Sequence, residues 1–180
     1  MTGPDRSLVS LRPVAESDVD DILSWVNNPD IVGNIATFSG KPFTRADELS
    51  YVQAMMASVT DRVFSVLRGD GGDYLGQVGL HQIHRRSAVG RLACIIGSRD
   101  EMGKGYGTAA IAHVLDIAFG AEELHKVWLM VFETNERARR VYSRIGFVTE
   151  GVLREEYFHA DGWHNMVRMS LLDREWAAPG

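Results

Sequence analysis

Three glycines on alternate positions, Gly103, Gly105 and Gly107, stand in the run Met102-Gly103-Lys104-Gly105-Tyr106-Gly107-Thr108. An apolar, strand-like stretch from Leu92 to Ile96 precedes them, and a helix-forming stretch from Ala109 to Phe119 follows. Glycine lets backbone N–H groups approach a ligand with no side chain in the way. A helix that opens there adds its unpaired N–H groups and the positive end of its dipole. Strand, glycine loop and helix N-terminus together suit a phosphate or pyrophosphate, so the expected ligand is a phosphorylated cofactor. Two familiar loops fit poorly. A P-loop has four residues between its first Gly and the Gly-Lys, then Ser or Thr. Here five residues separate Gly97 from Gly103, and Gly105 follows Lys104. A dinucleotide fingerprint needs its third glycine at 108 and an acid ending the second strand, whereas Glu122 and Glu123 precede the next strand.

A second motif narrows the chemistry. Asn135, Ala138, Tyr142 and Gly146-Phe147 follow an apolar run from Val127 to Phe132. With the glycine run upstream, this resembles the GCN5-related N-acetyltransferase (GNAT) superfamily, which moves acetyl from acetyl-coenzyme A to an amine. Leu11-Arg12-Pro13, Asp161-Gly162 and Met169 look like its branch of ribosomal-protein alanine, spermidine and amino-sugar N-acetyltransferases. The resemblance implies an α+β, three-layer acyl-CoA N-acyltransferase fold. Its mixed, twisted sheet has six to seven strands and is flanked by about four helices, with splayed central strands that admit the pantetheine arm. It also implies cofactor contacts at Ile95, Ile96, Gly97, Met102, Gly103, Lys104, Gly105, Tyr106, Gly107, Thr108 and Asn135.

Acetylating an amine requires removing its proton, stabilising an oxyanion and helping a thiolate leave. Tyr142 is the candidate for the last step, being seven residues after Asn135 and so two helical turns along. A tyrosine of pKa about 10 gives its proton to a thiol of pKa about 8.5 only uphill, by roughly 2 kcal/mol. Hydrogen-bond donation that grows into proton transfer describes this better. Asn135 also suits a helix N-cap. Many relatives carry a Glu on the strand before the glycine loop, but Arg91 stands there, and arginine cannot act as a base. Glu133, His81, Glu155 and Glu156 are the substitutes considered, beside a water chain or an already neutral amine. Met102 departs from the family's Gln or Arg, and Lys104 reads either as an added charge or as a solvated side chain. His81 and His84 should face opposite sides of a strand. His159 and His164 are expected in solvent beside a turn at Asp161-Gly162, and no metal is expected.

Those residues need elements to hold them. Strands are expected at 8–14, Val63 to Leu67, Leu75 to Leu80, Val89 to Ile96, 126–132, near 147–157 and at 164–171. Asp18 to Asn27 reads as a helix with Val19, Ile22, Leu23 and Val26 inward, ending before Pro29. Thr44 with Asp47 caps a second helix through about Met56. A third starts at Gly105 and buries Ile111, Val114, Leu115 and Ala118, and a fourth covers 135–145. Arg68 to Asp73 reads as a hairpin turn. The reading is one domain over 7–176, with frayed ends at 1–6 and 177–180.

At 180 residues and 45% hydrophobic, the chain has enough length for a full core. A net charge of −5 argues against nucleic acid, which selects basic surfaces. No segment reads as a membrane span or signal peptide, so a cytoplasmic protein is expected, with a homodimer as a compatible assembly. The single Cys94 lies in an apolar strand and reads as a buried, inert thiol. Within the resemblance, the segment from Asn34 to Arg45 overlies the acceptor and holds Lys41 and Arg45 but no acid. An amino sugar or similar small amine is therefore the first expectation, a peptide or protein N-terminus the second and a polyamine the third. A non-catalytic acyl-CoA sensor and a nucleotide-dependent enzyme are the competing classes.

Overall fold

Alternating apolar residues close into strands and pair in a single sheet. The computed structural model describes residues 4–33, 42–159 and 162–176. Among them are seven strands: β1 (Val9–Pro13), β2 (Arg62–Arg68), β3 (Tyr74–His84), β4 (Val89–Ile96), β5 (Lys126–Phe132), β6 (Val148–His159) and β7 (Gly162–Leu172). Their order across the sheet is β1-β2-β3-β4-β5-β7-β6. Every neighbouring pair is antiparallel except β4 and β5, which run parallel. A parallel pair needs a long crossover, and a helix supplies it here. The helices are α1 (Val19–Val26), α2 (Pro29–Val32), α3 (Arg45–Ala57), α4 (Tyr106–Phe119) and α5 (Glu136–Ile145), with α4 forming that crossover.

The helices α2, α3 and α5 start where the sequence provides a side-chain cap. Thr44 and Asp47 form a reciprocal capping box at α3, and the Asn135 side chain accepts from the Ala138 N–H at α5. The four-residue α2, with Asn28 as cap and Pro29 at its first position, was not anticipated. β3 runs four residues beyond the expected Leu80, because His81 still pairs with Arg91 of β4.

Two apolar clusters lie on the sheet's two faces. The larger packs α4, through Ile111, Val114, Leu115 and Ala118, against Leu80, Leu92, Val127 and Leu129. The smaller holds α1, α2 and α3 on the opposite face through Val19, Ile22, Trp25, Val26, Ile31 and Val52. Trp25, only 2% exposed, takes the central place in α1, while Leu23 is only partly buried. At the chain's start, Arg6 is anchored rather than frayed. It pairs with Asp116 at 2.7 Å and lies over the Trp176 ring. Residues 1–3, 34–41 and 177–180, and with them most of the expected acceptor segment, lie outside the described residues, as does Asp161 of the expected turn. No helix among the described residues is long and apolar enough to cross a membrane.

Candidate active site

β4 and β5 pair at Val89–Lys126, Gly90–Val127 and Arg91–Trp128, and there the pairing stops. Beyond Arg91 the strands separate, so Leu92 to Ile96 pair with β3 on one side and, among the described residues, with no strand on the other. This is the expected splay. Unpaired strand edges need hydrogen-bond partners, and a ligand arm can provide them. A cavity of about 510 Å³ opens in the wedge. Its floor is one face of the sheet, where Gln77, Gly79 and His81 of β3 alternate beside Arg91, Ala93 and Ile95 of β4. Trp25 of α1 with Glu48 and Tyr51 of α3 form the roof, and Asn135, Ala138 and Tyr142 line the α5 side.

At the open end of the wedge the glycine loop leads into α4. Gly103 and Gly105 adopt φ of +89° and +94°, where a side chain is strained. Gly105 is the N-cap, and no side chain caps α4. Tyr106, Gly107 and Thr108 therefore open a helix whose first N–H groups meet no side-chain cap among the described residues. Gly97 differs in its role: its N–H already donates to the Leu75 carbonyl at 2.8 Å. A Cβ there would lie 2.3 Å from Trp25 Cδ1, so this glycine admits the indole. The side chains of the loop are also tied. Lys104 pairs with Glu101 at 3.2 Å, Glu101 holds Arg68 at 3.0 Å, and Arg68 donates to the Tyr106 hydroxyl at 2.5 Å. Met102 packs against the smaller cluster. The cation over the loop is instead Arg137, a residue that sequence reasoning passed over. Its Nη2 lies 3.5 Å from where a Cβ on Gly103 would stand, and its Nη1 is 4.0 Å from Met102 Sδ. Arg137 is exposed and makes no ion pair among the described residues. Its sequence signal was its place two residues after Asn135.

Tyr142 and Asn135 do line one cavity. Asn135 Oδ1 is occupied by the Ala138 N–H at 3.1 Å, which leaves its amide nitrogen for other partners. The Tyr142 ring packs edge-on against Phe147 at 5.9 Å, and its hydroxyl makes no hydrogen bond among the described residues. Burial, with Cys94 adding a little, raises its pKa, so the phenol keeps its proton. Burial also pushes the Cys94 thiol up to about 12, in keeping with an inert cysteine.

The candidate bases divide sharply. Glu133 accepts from Asn165 Nδ2 at 2.8 Å and does not line the cavity, and Glu155 and Glu156 are exposed on β6. His81 does line it, with Nδ1 3.0 Å from Asp61 Oδ1. Glu48, missed by sequence reasoning, is 4% exposed and lines the cavity, and its carboxylate has no hydrogen bond or ion pair among the described residues. Burial, with Asp47 second, raises its pKa. Nothing in the α3 sequence said which face Glu48 would take. His159 and His164 are not free in solvent as expected: both are partly buried, with their rings 5.9 and 5.3 Å from Phe132.

Comparison with known proteins agrees with this geometry. The profile of the acetyltransferase (GNAT) domain matches residues 9–148. The spermidine N(1)-acetyltransferase of Escherichia coli K12 is 28% identical over 177 residues, covering 97% of this chain and 91% of that protein. The spermidine N(1)-acetyltransferase of Vibrio cholerae is 30% identical over 174 residues, covering 95% and 96%. A crystal structure of the Vibrio cholerae spermidine N-acetyltransferase in complex with CoA and spermine superposes with a TM-score of 0.85. That match has 26% identity and covers 94% of this chain and 98% of that one. The splayed pair of strands, the glycine-opened helix and the profile match over most of the chain have one explanation: the chain belongs to the GNAT acetyltransferase family.

Proposed function

We propose that the protein transfers acetyl from acetyl-CoA to a primary amine by direct attack of the amine on the thioester. The carrying observation is the single cavity that runs through the wedge, from the strand edge of β4 to a chamber roofed by α1 and α3. In this reading Ile95 and Ile96 offer backbone groups to the pantetheine arm. The N–H groups of Gly103 to Thr108 hold the pyrophosphate, with Met102 and Asn135 bordering it and Arg137 adding the charge that Lys104 gives to Glu101. Tyr142 donates toward the departing sulfur. The setting that fits is the cytoplasm.

The proposed acceptor is a small amine such as an amino sugar, or a peptide N-terminus. Within the chamber Glu48 offers a carboxylate with no partner among the described residues, Asp47 is tied to Thr44, and Arg91 adds a positive charge to the same lining. A polyamine carries several positive charges and is best held by several carboxylates. One observation favours a polyamine nonetheless: relatives over nearly the full chain are spermidine acetyltransferases. Rates of thiol release with an amino sugar, an Ala- or Ser-initiated peptide and spermidine decide between them. Spermidine faster by an order of magnitude would overturn the first reading. Acetyl-CoA binding without release on any amine would favour a sensor.

A further inference from the structure

We propose that His81, held by Asp61, is the general base that takes the proton from the acceptor amine. This rests on the acetyl transfer proposed above and supplies the step for which that reading names no residue. Position 91, where the family resemblance implies a carboxylate, holds an arginine, but its register partner across β3 and β4 is His81. Arg91 is also the last β4 residue paired with β5, so His81 sits level with the apex of the wedge. From Gly97 to Arg91 is roughly 20 Å of strand at about 3.3 Å per residue. An arm anchored at the α4 N-terminus and laid along β4 would bring its acyl end to that apex.

The pair is built to hold one tautomer. An ionised carboxylate only accepts, so His81 Nδ1 carries the hydrogen shared with Asp61 Oδ1, and Nε2 keeps a free lone pair. Asp61 is itself fixed, accepting from Ser58 Oγ at 2.6 Å, Thr60 Oγ1 at 3.1 Å and the Gln82 N–H at 3.3 Å. Immediately after His81 the β3–β4 register slips and Gln82 takes φ of +53°, a bulge of the kind that re-aims a side chain. Arg91 from β4, with Asp47, Glu48 and Tyr51 from α3 and Tyr142 from α5, lines the same cavity. Burial first, then Arg91, lowers the pKa of His81 against the pull of Asp61, which leaves the ring neutral and able to accept.

The step balances as follows. The bound ammonium gives one proton to Nε2, and from there it passes to solvent. The freed nitrogen bonds to the acetyl carbonyl carbon, and the C–S bond breaks. Tyr142 protonates the leaving sulfur and regains a proton from the acylated nitrogen. The products are the amide, the CoA thiol and one released proton.

The test measures thiol release and acetylated product from pH 6 to 9 for the parent, His81→Gln, Asp61→Asn and Glu48→Gln. Two acceptors are used, an aliphatic amine of pKa about 10.4 and a peptide α-amine of pKa about 7.7–8.0. His81→Gln should lower kcat on the aliphatic amine by roughly 10²–10⁴ with unchanged acetyl-CoA affinity. Its loss on the α-amine, which is already partly neutral, should be smaller. Asp61→Asn should fall between and shift the acid limb of the kcat profile, which identifies it as a positioning residue and keeps the test open if His81→Gln folds poorly. Glu48→Gln should raise KM and spare kcat. Parent-like kcat in folded His81→Gln, equal losses on both amines, or loss of kcat in Glu48→Gln alone would each overturn the proposal. A parent that binds acetyl-CoA and acetylates nothing would instead sink the function on which it rests.

Discussion

Replacing Arg137 by Ala isolates the cosubstrate site from the fold. The guanidinium lies over the glycine loop, Nη2 3.5 Å from the Cβ position of Gly103, and no carboxylate pairs with it among the described residues. Its removal should leave stability within about 0.5 kcal/mol of the parent, as for an ordinary surface change. Its contribution to a phosphate 4 Å away is bracketed by about 1 kcal/mol in water and about 4 kcal/mol at an effective dielectric of 20. Hydrogen bonds to charged groups measure about 1.5–3 kcal/mol, inside that bracket. At 1.4 kcal/mol per tenfold, Kd for acetyl-CoA should rise roughly 10- to 150-fold. Calorimetric titration reads this directly, and a thermal shift with saturating acetyl-CoA checks it against the unliganded melting point. Gly105 is a poorer probe, because φ of +94° and a Cβ 3.0 Å from Leu8 Cδ1 strain any replacement with or without ligand. A change in Kd below twofold in a folded Arg137→Ala protein would remove Arg137 from the proposed pyrophosphate site and leave that role to the loop's backbone N–H groups.

Tyr142→Phe keeps the ring and its contact with Phe147, so kcat should fall by roughly 10²–10⁴ with little change in acetyl-CoA affinity. Full activity would leave Tyr142 as a core aromatic. Gly97→Ala drives a methyl into the Trp25 indole and should cost about 1–3 kcal/mol, or about 2–4 °C in Tm for each of them. An unchanged melting curve would refute the tight fit. Asp18, 1% exposed, accepts from Arg12, Ser65 Oγ and the Ala15 N–H. Burial raises its pKa, but those three donors outweigh burial and hold it below the usual carboxylate value. Its stabilisation is therefore present above an unfolded pKa of about 3.9 and lost as pH falls through the lower folded value. Urea unfolding of Asp18→Asn should show less stability at pH 7 and a flatter decline toward pH 3. A slope equal to that of the parent would count against this.

What the sequence disclosed was whatever is local. The glycine run, the Thr44–Asp47 box and the Asn135 cap each lie within a few residues and read directly as helix starts. Strand β4 was read to its observed bounds because its apolar run is continuous. The acceptor chamber was not legible in the same way. Trp25, Glu48 and His81 line it from α1, α3 and β3, with Asp61 behind His81, and only the packing of those helices on the sheet brings them near one another. In α3 the buried residues are Glu48 and Val52, so apolar periodicity had almost nothing with which to orient that helix. The ion pair of Lys104 was hidden for a related reason: its partner Glu101 sits in the turn before it, and Arg68, which shares that partner, is a strand away.

Two clusters on opposite faces of one sheet divide the protein's capacity to change. The large cluster under α4 carries the strands that form the wedge, so substitutions there disturb every reaction the protein could perform. The small cluster under α1 to α3 is also the wall of the acceptor chamber, since Ile22, Trp25, Val26 and Val63 belong to both. A lineage that alters its amine must recut these side chains and accept a loosened α1–α3 layer, while the acetyl-donor half stays intact. Selectivity can therefore drift among descendants of one scaffold in small, separately survivable steps, each limited by how much slack that thinner layer can bear.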